Sequence, residues 1–162
     1  MRPNSAFYWK RINILMMNAS GRKPWVRAVV VAGVVYFVVG YGSAALDPSV
    51  PDRARFAWRL AAWAVSAAVF AAHISYEHFR LGDSPRAIAL HSAAAVALGA
   101  FLLAAAATVH AATVASHAPY WRFLLALVLW PILTALPAFL VALVAGAMLD
   151  RLPRSARSGL VE

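Results

Sequence analysis

AAHISYEHFRLGDSPRAIALH, residues Ala71–His91, is a short polar joint between two long apolar segments. It holds three of the five histidines, two of the six acids (Glu77 and Asp83) and two arginines (Arg80 and Arg86). Gly82-Asp83-Ser84-Pro85 is a turn signal. Asp83 or Ser84 can cap the helix that follows, with Pro85 in its first turn. The joint therefore reads as the connection of a helical hairpin.

On the N-terminal side of the joint lies an alanine-rich segment of roughly Ala57–Tyr76, with Trp58 and Trp63 near its entrance at the level where interfacial tryptophans sit. Ala61, Ala64, Ala68, Ala71, Ala72 and Ser75 recur at helical spacing and offer a smooth face for tight helix packing. On the C-terminal side a second alanine-rich segment runs from 87 to about 115. Two further apolar runs flank this hairpin, at 26–46 and 123–149. About 20 apolar residues suffice to cross ~30 Å of hydrocarbon, so each run is long enough to span a bilayer. Pro131 and Pro137 each remove a backbone donor from the last one.

Composition agrees. The 162-residue chain is 63% hydrophobic and 13% charged, where a soluble domain carries about 25% charged residues. The fold expected is an all-α, four-helix integral membrane bundle. It comprises a basic segment at 1–25, one transmembrane domain at 26–149 and a basic tail at 150–162. The first segment reads equally as an interfacial helix or a disordered tail. Met16 or Met17 is an alternative start, and Ser43-Ala44-Ala45 is a rival cleavage site should the first span be a signal peptide.

Net charge is +9, from 15 Lys+Arg against 6 Asp+Glu. These cations flank the spans, so the partner expected is anionic lipid headgroup and not nucleic acid. Arg22, Lys23, Arg27, Arg151 and Arg154 are the residues expected to orient the chain. With a cytoplasmic N-terminus, the N-terminal six cations, Arg80, Arg86, Arg151, Arg154 and Arg157 fall on one side. Only Arg53, Arg55, Arg59 and Arg122 fall on the other. The positive-inside rule then places both termini and the joint in the cytoplasm of a bacterial inner membrane. There are no cysteines, which excludes disulfides, thiolate metal sites and cysteine nucleophiles.

Chemistry, if any, is expected in the joint. His73 and Glu77 are four residues apart and share a helix face, and His91 lies about one turn into the next helix. One reading is a divalent-metal site of His73, Glu77, His78 and His91 for zinc, iron or manganese. Another is a haem b held by His73 and His91. The third is a plain polar cluster with no cofactor, in which Glu77 pairs with Arg80 or Arg86. HISYEH has the HxxxxH form of the first histidine box of membrane fatty-acid desaturases. The paired-histidine boxes those enzymes also need are missing, and no residue role is carried over. His110 and His117, seven apart, are secondary metal candidates near the other end of the third span. The leading expectation for function is a non-enzymatic structural or accessory subunit, packed as a homo-oligomer or with partner membrane subunits. A haem- or metal-binding membrane protein is the alternative. A small transporter ranks third, because no acid lies in the middle of any span.

Overall fold

In the computed structural model, which describes residues 24–44, 51–114 and 119–151, the chain forms four α-helices in an up-and-down bundle. They are α1 Pro24–Ala44, α2 Asp52–Tyr76, α3 Pro85–Thr113 and α4 Tyr120–Arg151. A single π-helical turn, Glu77–Leu81, extends α2. All four helices are long and apolar enough to cross a membrane. Most of the large side chains of α4, among them Leu125, Val128, Leu133, Leu136 and Leu140, are exposed. In water such a surface would be an aggregation liability, whereas lipid solvates it. The segment carrying Arg22 and Lys23, the loop carrying His117 and the tail carrying Arg154 lie outside the described residues.

The expected spans match the helices with one sizeable departure. α2 begins at Asp52, so residues 52–56 are helical although the span is expected to start at about Ala57. Pro51 supplies the reason. It stands extended at the N-cap (φ −53°, ψ 144°), and its carbonyl accepts from the amides of Ala54 (2.9 Å) and Arg55 (3.1 Å). Asp52 in the first turn complements the helix dipole and pairs with Arg55 at 2.6 Å. A proline read as a helix breaker is here a helix starter.

The far end of the hairpin turns as expected. Gly82 takes the left-handed conformation (φ +68°), which glycine adopts without steric cost. The Asp83 amide donates back to the Glu77 carbonyl at 3.3 Å. Ser84 is the N-cap of α3, its hydroxyl accepting from the Ala87 amide at 3.4 Å, with Pro85 following it inside the helix. α4 continues through both of its prolines. Thr134, between them, donates its hydroxyl to the carbonyls of Trp130 (2.9 Å) and Pro131 (3.1 Å).

α3 is the centre of the bundle, packed most extensively on α4 and α1. Small residues let the backbones approach. A Cβ added at Gly99 would lie 2.7 Å from Tyr36 Cβ and 3.0 Å from the Gly33 carbonyl oxygen, so α1 and α3 touch nearly backbone to backbone. The buried core is correspondingly small. One cluster joins Ile74, Ile88, Ala89 and Ala142 beneath the joint. A second joins Val29, Ala32 and Ala95 between α1 and α3. α2 is the outlier: Ala61, Ala64, Ala68, Ala71, Ala72 and Ser75 are all exposed. The smooth face expected to pack tightly is not covered by this chain.

Candidate metal centre

The joint buries a carboxylate that, among the described residues, no Lys or Arg side chain pairs with. Glu77 is fully buried, four residues after the buried His73 and so on the same inward helix face. The Glu77 carboxylate lies against His91, whose Nδ1 is 3.0 Å from Oε1 and 3.1 Å from Oε2. In the neutral tautomer with the proton on Nδ1, that N–H donates to the carboxylate. His73, one turn earlier on α2, brings Nε2 to 3.4 Å from the same Oε1. Asp83, carried over the joint by the left-handed Gly82, places Oδ2 3.9 Å from His91 Nδ1. Trp25, in the first turn of α1, stacks on the His91 ring with centroids 4.4 Å apart and planes within 2°. That stack fixes the imidazole orientation.

The expectation that Glu77 pairs with Arg80 or Arg86 is not met. Both arginines are exposed, and among the described residues no Lys or Arg forms an ion pair with Glu77. The register explains this: Glu77 faces inward with His73, and the turn takes Arg80 outward. Arg86 lies on the outer side of α3, next to the buried Ile88 and Ala89. A wholly buried carboxylate partnered by imidazoles alone still needs a compensating positive charge, whether a proton or a cation.

Two polar atoms around it also lack hydrogen bonds. His73 Nε2 is close to Glu77 but too poorly aligned to bond it, and Asp83 Oδ2 is likewise without a partner. Buried polar atoms are normally satisfied, so two orphans around one carboxylate require an explanation. Donor atoms of Glu77, Asp83 and His91 all lie within 4.8 Å of one another. With metal–ligand bonds of about 2.0–2.2 Å, tetrahedral ligand atoms sit roughly 3.4 Å apart. The two distances to His91 Nδ1, 3.0 Å from Glu77 and 3.9 Å from Asp83, fall on either side of that spacing. Carboxylate with imidazole suits zinc, manganese or iron(II).

A haem held by His73 and His91 does not fit this geometry. Two axial imidazoles must face each other across the macrocycle, and here the Glu77 carboxylate fills that space while Trp25 covers His91. His78, grouped by sequence with the other three, is buried on a different side. Its ring meets Phe79 edge-on at 4.8 Å, and its Nδ1 lies 3.6 Å from Asp150 Oδ1 of α4. His110 is exposed at the opposite end of α3, with Thr113 donating to its carbonyl at 2.8 Å. Arg27 and Arg151 are exposed at the ends of their helices.

Sequence reasoning missed Asp83 and Trp25 as members of the site. Asp83 had a signal: it follows a turn glycine and precedes a serine already able to cap α3. That frees its carboxylate for another use. Trp25 had none beyond its place at a helix start. In comparison with known proteins, no family model, no curated protein and no solved structure matches the chain.

Proposed function

We propose that this chain is a multi-pass protein of a bacterial inner membrane that binds one divalent transition metal at Glu77, Asp83 and His91, with His73 beside them. The observation that carries the reading is the fully buried Glu77, held among imidazoles and a second carboxylate, with no Lys or Arg paired to it among the described residues. Burying such a group is costly in a membrane-spanning bundle, and a dication offsets that cost while satisfying the orphaned donor atoms. Equilibrium dialysis of the detergent-purified chain against Zn²⁺ or Mn²⁺ tests it. One ion per chain is expected; no retained ion refutes the proposal.

The orientation proposed has both termini and the metal centre on the cytoplasmic side, supported by the asymmetry of the cations. Because the chain has no cysteine, single-cysteine labelling reads this directly. A membrane-impermeant maleimide applied to the outer face is expected to label Y120C and leave S84C untouched. The reverse pattern would invert the topology.

A structural or accessory role is a second reading, favoured by α2. Its six-residue alanine and serine face is exposed, although small-residue faces are where membrane helices approach each other most closely. A partner helix or a second copy would cover it. Substituting Ala68→Trp is expected to dissociate any complex recovered in mild detergent while leaving metal binding intact. A chain that is monomeric and partnerless before substitution removes this reading.

A further inference from the structure

Over its length α2 packs chiefly on α1 and touches α3 and α4 sparingly. The space it leaves is a cleft of about 540 Å³ lined by all four helices, within the ~300–1,000 Å³ typical of small-molecule sites. Its wall is hydrocarbon: Phe70, Val96, Leu103 and Val141 are characteristic. Of the four lining hydroxyls, two are turned back on their own helices, Ser43 to the Gly40 carbonyl (2.9 Å) and Thr134 to those of Trp130 and Pro131; Tyr36 and Ser66 supply the others.

The cleft is polarised along its length. Arg59 lines one end and Phe70 the other, eleven residues further along α2. At 1.5 Å per residue the cleft is about 16 Å long, the depth of one leaflet of a ~30 Å hydrocarbon core. Arg59 has no acidic partner among the described residues. Among the described residues, this end of the bundle also carries Arg53, Arg55 and Arg122, against Asp52, which Arg55 already engages.

We infer that the cleft holds one acyl chain of an anionic phospholipid, with its phosphate on Arg59. The charge at the mouth selects the headgroup, and the apolar, leaflet-deep interior takes the chain. This inference is independent of the metal centre, which lies at the opposite end of the bundle.

Native mass spectrometry of the full chain in mild detergent tests it, with phosphatidylglycerol and phosphatidylcholine of identical chains as probes. One phosphatidylglycerol per chain is expected, bound more tightly than phosphatidylcholine. R59Q, at an exposed position, is expected to weaken phosphatidylglycerol about fivefold, the value of one cation near anionic headgroups. It should weaken phosphatidylcholine less, because the choline cation already offsets that lipid's phosphate, so the preference for phosphatidylglycerol narrows. A138F, which fills the cleft, should displace both lipids. Equal binding of the two lipids by the unaltered chain, or undiminished selectivity in R59Q, would overturn the inference. A protein dimer carrying no lipid would overturn it too.

Discussion

Glu77→Gln is expected to abolish metal binding while leaving the metal-free protein as stable as before or more so. Glutamine matches the volume of glutamate and fits the fully buried position, but it removes the charge that burial disfavours. Replacing a buried charge by a neutral isostere is commonly neutral or stabilising. Metal affinity should move the other way. Loss of a supporting contact to a metal ligand costs about 10–100-fold in affinity, so loss of the central carboxylate should cost more than about 100-fold. In thermal unfolding at a metal concentration 100 times the dissociation constant, the unaltered chain should gain about 2.7 kcal/mol. Glu77→Gln should gain none. The opposite sign of the two effects separates a ligand from a structural group. Were Glu77 only part of a satisfied polar cluster, the substitution would destabilise the metal-free chain.

The second large effect belongs to the α1–α3 contact. Gly99→Leu must place a branched side chain where a Cβ alone would meet Tyr36 Cβ at 2.7 Å and the Gly33 carbonyl oxygen at 3.0 Å. The carbonyl is backbone inside a helix and cannot rotate away, so α1 must separate from α3. Overpacking of a close contact costs typically 1–3 kcal/mol and occasionally more. Here about 3 kcal/mol is expected, because the whole helix moves. Trp25 on α1 also loses its place against His91, so metal affinity should fall with stability. Gly42→Leu is the matched control: an added Cβ there meets nothing within 4 Å, and no change in melting temperature is expected. Equal effects at the two positions would show that helix propensity, not close approach, governs this interface.

Much of the fold is legible because apolar runs of membrane length leave little choice. The joint is legible as a turn because Gly82, Ser84 and Pro85 each have one conformational use there, and each is put to it. The start of α2 is less so, since proline marks both the end of one helix and the beginning of another. Only the pairing of Asp52 with Arg55 favours the second at Pro51. Within the site, the spacing of four between His73 and Glu77 places both on one face, and antiparallel helices bring His91 to the same depth. The departures all arise at the π-helical turn. Such a turn has no compositional signature, and by inserting a residue into the helical repeat it reassigns which side chains point inward. Within it, His78 faces Asp150 and Arg80 faces outward, away from Glu77.

X-ray absorption fine structure of the zinc-loaded protein tests the central claim most directly. The account predicts a first shell of nitrogen and oxygen only, at about 2.0–2.2 Å, with the outer-shell scattering of imidazole. His91→Ala should lower that imidazole signal, whereas His78→Ala should leave it intact. A zinc shell without imidazole, or a spectrum that His91→Ala does not change, would contradict a metal centre built on Glu77, Asp83 and His91.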